Sequence, residues 1–162
     1  MTTPGTAVPP IVRTHDNVFW FDAAAEGRLV VQRCTDCTTL RHPPAPTCPK
    51  CRSFEWDSVE SNRQGTLHSW TVVHHPQDPA FTYPLLVGLV DLDTGTRLVA
   101  DFEPTDHDLL AVGCPVEVFF AEHARGEMLP RLRLRPRGSE GTAAEDESAL
   151  EDAPDAQHQG VS

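Results

Sequence analysis

Cys34-Thr35-Asp36-Cys37 and Cys48-Pro49-Lys50-Cys51 are two Cys-x-x-Cys pairs with ten residues between them. Each pair closes a tight turn that aims two sulfurs at one point. Two such turns make the tetrahedral thiolate cage that zinc prefers, with Zn–S distances of about 2.3 Å. Iron fits the same cage, and spacing alone does not separate the two metals. The intervening stretch carries Pro43, Pro44 and Pro46, and Pro49 sits inside the second pair. A stiff connection of this kind loses little entropy when the cage closes. With cysteine in all four ligand positions no coordination site is left for water, so the metal is expected to be structural.

Two other uses of paired cysteines fit less well. A secreted disulfide scaffold brings an apolar leader, whereas residues 1–10 are rich in Thr and Pro with no apolar stretch. A cytoplasmic location is the corresponding expectation. A redox dithiol needs one Cys-x-x-Cys at the start of a helix, and here there are two pairs joined by a proline-rich segment that excludes helix. The fifth cysteine, Cys114, follows Gly113 at the start of an apolar run and is expected to be a small buried thiol.

Charge is distributed unevenly over the 162 residues. Seven of the 24 acidic residues and none of the 13 basic ones fall in residues 139–162, so this tail carries −7 of the net −11 and residues 1–138 carry −4. The tail has one leucine and no aromatic residue, too little apolar surface to offset the ordering of its backbone, and is expected to be disordered. The expected organisation is a flexible arm over 1–14, a helix and lead-in strand over 15–33, a zinc ribbon over 34–58, a β-barrel domain over 59–138 and the acidic tail. No run approaches the roughly 20 apolar residues of a membrane span.

Ahead of the cysteines, His15-Asp16-Asn17 offers N-caps for a helix over 18–26 that Gly27 stops. Phe19, Trp20 and Phe21 are too many aromatics for one buried stripe, so part of this helix is expected to meet a second surface. After a turn at 62–65, five strands are predicted over 66–75, 84–93, 96–102, 116–122 and 129–135. Asp93-Thr94-Gly95 marks a tight hairpin between the second and third. Thr105-Asp106-His107-Asp108 resembles a helix start between the third and fourth. Five strands with a short helix after the third is the order of an OB-type barrel. The fold class is mainly β: a short helix, a zinc ribbon and a five-stranded barrel.

Phe19-Trp20, Glu26-Gly27-Arg28-Leu29, Gln32-Arg33-Cys34, Cys37, Cys48-Pro49, Cys51 and Leu67-His68-Ser69-Trp70-Thr71-Val72-Val73 together resemble a known family. It comprises acyl-CoA-associated OB-fold proteins with a rubredoxin-like zinc ribbon, first catalogued as domain of unknown function 35. The similarity extends over 84–92, 113–120 and Leu129-Pro130. Thr38 stands where the family often has Gly, and Leu132 near where an aromatic residue often precedes the last proline. The resemblance implies a non-catalytic accessory subunit. Its partners would be thiolase-superfamily enzymes, thiolases or aldolases, or hotdog-fold enoyl-CoA hydratases, acting on bulky acyl-CoA such as steroid side-chain or aromatic intermediates.

Arg131, Arg133, Arg135 and Arg137 alternate with apolar residues and share one strand face. Arg131 and Arg133 are the candidates for gripping the phosphates of CoA or the acids of a partner, against a plain role as a charged strand edge. His74 and His75 point to opposite faces of a strand and do not serve one centre readily. The competing class is single-stranded nucleic-acid binding, with Trp70, Phe81, Tyr83 and Phe102 as stacking platforms. A body charge of −4 with one lysine, Lys50, supplies little of the positive field that class needs.

Overall fold

The computed structural model describes residues 10–78, 81–123 and 125–136. Residues 1–9 of the expected arm, Arg137 and the acidic tail lie outside them. The elements are α1 (Val18–Ala25), β1 (Val30–Cys34), β2 (Leu40–Arg41), β3 (Trp56–Glu60), β4 (Gln64–Val73), β5 (Leu85–Leu92), β6 (Arg97–Phe102), a single 3-10 turn (His107–Leu109), β7 (Pro115–Glu122) and β8 (Met128–Leu134).

Helix α1 buries Trp20, Ala23 and Ala24, an i, i+3, i+4 stripe. Asn17 is its N-cap position, yet its side chain turns backward, accepting from the Thr14 amide at 2.7 Å and donating to the Val12 carbonyl at 3.1 Å. The helix ends in a Schellman pair, with Gly27 N–H donating to Ala24 O and Arg28 N–H to Ala23 O, both at 2.9 Å. The surplus aromatics meet the ribbon: Phe19 packs on Trp56 at 4.5 Å between ring centroids, and Trp20 on His42 at 5.6 Å. Because α1 touches both β1 and β8, one continuous core joins the two parts of the molecule.

The ribbon is a three-stranded antiparallel sheet in the order β2-β1-β3. Arg33 stands opposite Asp57 and grips its carboxylate with two N–H groups, holding that carboxyl below its ordinary range. The remaining five strands close into a barrel in the order β4-β5-β6-β8-β7, with β7 returning to β4. In barrel order this is first, second, third, fifth, fourth, with the third and fifth parallel, which is the OB arrangement.

β4 must pair with both β5 and β7, so it has to bend, and a bulge between Leu67 and Ser69 supplies the bend. Leu67 faces the core before the extra residue, and Trp70 and Val72 pack toward it afterwards. The turn expected at 62–65 is tighter in the structure. It centres on Arg63, at φ 62°, and Gly65 already belongs to β4, opposite Val116 of β7 and Leu92 of β5. A side chain there would run into the Asp91 carbonyl, so the glycine serves close strand approach.

The expected helix between the third and fourth barrel strands is the 3-10 turn alone. Asp106, in place of Thr105, caps it by accepting from the Asp108 amide at 3.0 Å. Leu110 is buried while Leu109 is 65% exposed, so a single leucine anchors the segment. The Asp93-Thr94-Gly95 hairpin forms as expected, with Gly95 N–H donating to Leu92 O at 2.8 Å. Cys114 is buried in the shared core.

Candidate metal centre and binding surfaces

The two cysteine knuckles are built alike. Cys34 O accepts from Thr38 N–H and Cys48 O from Arg52 N–H, both at 2.9 Å, while Thr38 and Arg52 take positive φ of 60° and 62°. Glycine takes such a left-handed position without strain, whereas here Thr38 bears it with a branched side chain. The knuckles bring all four sulfurs within 4.8 Å of one another. Cys34 and Cys51 are 3.5 Å apart, as are Cys37 and Cys48. A ZnS4 tetrahedron with bonds of about 2.3 Å has edges of about 3.8 Å, so the residues fit the ion.

Four thiols this close cannot all ionise without a cation among them. Cys37, beside the Thr39 hydroxyl at 3.1 Å and the Thr39 amide, is pulled down to about 6. The backbone amides of Cys51 and Lys50 draw Cys48 down against its burial. At Cys51 the pull of the Ser53 backbone is outweighed by Cys37, by desolvation and by the other sulfurs, which push it up to about 12. A divalent ion resolves this conflict by stabilising every thiolate at once.

Sequence reasoning missed the polar brace beside the cage. Gln32 on β1 is 1% exposed, and its Oε1 accepts from Arg41 Nε at 2.8 Å and from the Ala45 amide at 2.9 Å. Arg41 is 7% exposed and also donates to the Ala45 carbonyl at 3.3 Å. These contacts hold the proline-rich segment between the knuckles against the sheet. Gln32, two residues before the first cysteine and directly after Leu29-Val30-Val31, was the available signal.

The arginine face does not present free guanidiniums. Arg131 donates to Asp101 at 2.9 Å and to the Phe102 carbonyl at 2.7 Å. Arg133 donates to Glu117 at 3.0 and 3.1 Å and lies over the Phe119 ring at 5.2 Å. Arg135 donates to Gln64 at 2.8 Å. The charged-edge role also falls away, because β8 is flanked by β6 and β7. Arg131 nonetheless lines a cavity of about 290 Å³ at one end of the barrel, with Tyr83, Leu86, Phe102 and Thr105.

Among the proposed stacking platforms, Phe102 is 3% exposed in the barrel core and unavailable to a base. Tyr83 accepts from the Asp78 amide, and Phe81 is exposed beside His123. His74 and His75 are exposed, and neither belongs to a group of potential metal ligands among the described residues. In those residues no helix is long and apolar enough to cross a membrane.

A four-cysteine ribbon joined through one helix to a closed OB barrel defines a class of two-module metal-binding proteins. Residues 21–57 match the family model described as ChsH2, rubredoxin-like zinc ribbon domain, and residues 58–121 match ChsH2, C-terminal OB-fold domain. The chain belongs to this family, whose zinc ribbon identifies the cage as a structural zinc site.

It is 48% identical over 118 residues to a "Probable enoyl-CoA hydratase alpha subunit" of Thermomonospora curvata, covering 73% of this chain and 37% of that one. It is 32% identical to the "3-oxo-4,17-pregnadiene-20-carboxyl-CoA hydratase alpha subunit" of Mycobacterium tuberculosis, covering 67% and 35%. The chain thus spans little more than a third of each of these relatives. Among solved structures, a chain of the "Ltp2-ChsH2(DUF35) aldolase" superposes with a TM-score of 0.72 at 46% identity, over 78% of this chain and 98% of that one.

Proposed function

We propose that this chain is a non-catalytic accessory subunit. It binds a thiolase-superfamily partner, a thiolase or an aldolase, and supports that partner's action on a bulky acyl-CoA. One observation carries the reading: the chain matches nearly the whole of a subunit from the Ltp2-ChsH2(DUF35) aldolase. The chemistry on the page accords with it. The metal cage has cysteine at every vertex and offers no position to substrate. The barrel interior is filled with Leu67, Val90, Val116, Val118 and Leu132, so it supplies no reaction chamber. Catalytic groups would come from the partner.

Arg131 is the residue through which we connect this chain to the acyl-CoA or to the partner, because it faces both Asp101 and the barrel-end cavity. Arg133 is assigned a weaker share of the same contact, since Glu117 and Phe119 already hold it. We place the protein in the cytoplasm, where its thiols stay reduced. The similarity to a hydratase alpha subunit favours a second reading, in which the partner is an enoyl-CoA hydratase.

Co-expression with a thiolase-fold subunit and, separately, with a hydratase subunit, followed by size-exclusion chromatography, tests both. A stable complex with the first supports the primary reading, and one with the second alone replaces it. Within that complex, Arg131→Ala is expected to weaken CoA binding by about tenfold. Unchanged titrations remove the arginine from the site.

A further inference from the structure

Arg41 is a cation buried without a carboxylate. It is 7% exposed, and its hydrogen bonds go to two neutral oxygens, Gln32 Oε1 at 2.8 Å and the Ala45 carbonyl at 3.3 Å. Its Nη1 has no partner among the described residues, and neither has Nε2 of Gln32. Arg33, Arg28 and Arg13, by contrast, are paired with Asp57, Glu26 and Asp22. A guanidinium keeps its charge inside a protein, and a buried charge needs compensation.

The register of the ribbon sheet shows where compensation lies. Gln32 and Cys34 are two residues apart on β1 and so share a face. Arg41 of β2 stands directly opposite Gln32 and belongs to that face as well. The Arg33–Asp57 pair occupies the other face. Ala45, the second anchor of the guanidinium, lies three residues ahead of Cys48. The guanidinium is therefore tied to the lead-in of each knuckle, on the order of 10 Å from the sulfurs.

Once loaded, the cage is a strong negative centre on that face. Four thiolates around one Zn2+ carry a net charge of 2−. Backbone amides of Thr39, Lys50, Cys51 and Ser53 offset part of it. Lys50 and Arg52 belong to the second knuckle, but both are exposed, where water and salt screen them. Arg41 is out of the water, so its field reaches the cage through protein. A buried cation without an anion and a cage with surplus negative charge are each costly alone, and on one face of one sheet they offset each other.

We propose that Arg41 is the charge-compensating residue of the zinc cage. Its buried guanidinium offsets the surplus negative charge of the tetrathiolate, beyond bracing the proline-rich segment, and Gln32 fixes it in place. The proposal concerns the metal alone and does not depend on the partner reading above.

The test uses the full chain, loaded with zinc or, as an electrostatic probe, with iron, which fits the same cage. Zinc affinity is read by competition with a chromophoric chelator. Arg41→Met keeps an unbranched side chain, removes the charge, and is expected to weaken zinc binding about tenfold or more. Arg41→Lys keeps the charge without the fork and is expected to stay within about threefold of the parent. Lys50→Met removes an exposed charge from the second knuckle and should also stay within about threefold.

The iron form supplies a readout that follows charge. Reduction of Fe(III) to Fe(II) takes a tetrathiolate cage from 1− to 2−, so a nearby cation favours the reduced state. Arg41→Met is expected to shift the reduction equilibrium about three- to tenfold toward Fe(III), a midpoint potential lower by about 30–60 mV for one electron. Arg41→Lys should hold the parent's potential. Equal losses of zinc affinity in Arg41→Met and Arg41→Lys with an unmoved potential, or failure of both variants to take up metal, reduce the residue to a brace and overturn the proposal. A Lys50→Met effect as large as that of Arg41→Met also overturns it, because burial would then not single Arg41 out. Metal uptake by Arg41→Lys where Arg41→Met takes up none supports the charge as the deciding property.

Discussion

Gly88 lies on β5 with its missing side chain directed at the centre of the barrel. A Cβ there would stand 2.6 Å from Phe102 Cε2, 2.7 Å from Leu132 Cδ1 and 3.3 Å from Leu67 Cδ1. For Gly88→Ala two effects oppose each other. Alanine narrows the unfolded ensemble and on that account stabilises a strand by about 0.4–1 kcal/mol. Ordinary carbon contacts begin near 3.5 Å, so the new methyl overlaps two neighbours by most of an ångström. Phe102 is 3% exposed and Leu132 not at all, and they sit on adjacent parallel strands, so neither swings aside without moving β6 or β8. Overpacking of this kind costs about 1–3 kcal/mol, and because both obstacles are core side chains the upper half of that range is expected to win over the entropic gain. A net loss of about 2 kcal/mol corresponds to a fall in Tm of roughly 8–12 °C for a domain of this size. The assay is urea unfolding followed by tryptophan fluorescence, with zinc held in excess so that metal linkage is constant. Leu132→Ala in the same chain should recover part of the Gly88→Ala loss, a coupling of about 1 kcal/mol or more. Gly88→Ala as stable as the parent, or strict additivity with Leu132→Ala, would refute the packing argument.

Three further outcomes are expected. Cys48→Ser, or chelation of the native protein, should remove one zinc per chain by elemental analysis and abolish the ribbon's cooperative unfolding, since structural zinc contributes about 10–16 kcal/mol of apparent binding energy in small ribbons. Thr38→Gly should stabilise by about 0.5–1 kcal/mol, because relief of a branched residue at φ 60° exceeds the added unfolded-state entropy of glycine. A loss of stability would show that the Thr38 hydroxyl bond to the Cys37 carbonyl outweighs the strain. His42 is depressed to about 4 by burial, so between pH 6.5 and 4 the unfolded chain binds the extra proton and stability falls as pH drops through that window. His42→Phe should flatten that fall relative to the parent at equal zinc, and an unaltered difference across the window would contradict it.

Much of the architecture was written locally. The Cys-x-x-Cys pairs declare a cage because the chemistry of a knuckle is contained in four consecutive residues. The strand alternation of 84–93 and the Asp-Thr-Gly turn declare a hairpin for the same reason. The errors fell where local signals competed with distant ones. Gly65 reads as a turn residue, yet it is a strand residue whose reason is the Asp91 carbonyl on a neighbouring strand. Thr105 reads as a helix cap, yet with one buried leucine the segment has too little to bury and stops after a single 3-10 turn. Arg131 and Arg133 were legible as sharing one strand face, whereas their partners Asp101 and Glu117 were not, lying 30 and 16 residues away in the chain.

By itself, then, the chain of residues determined the four-thiolate cage, the five strands of the barrel and the order of the two modules, since each follows from spacing or periodicity within a short window. Only the tertiary structure decided which polar groups find partners. It set Gln32 and Arg41 behind the proline-rich segment, gave the arginines of β8 their acids, and left the Trp20 indole nitrogen buried without a partner among the described residues. Hydrogen-bond satisfaction depends on where strands far apart in sequence come to rest, and no local pattern of residues encodes that.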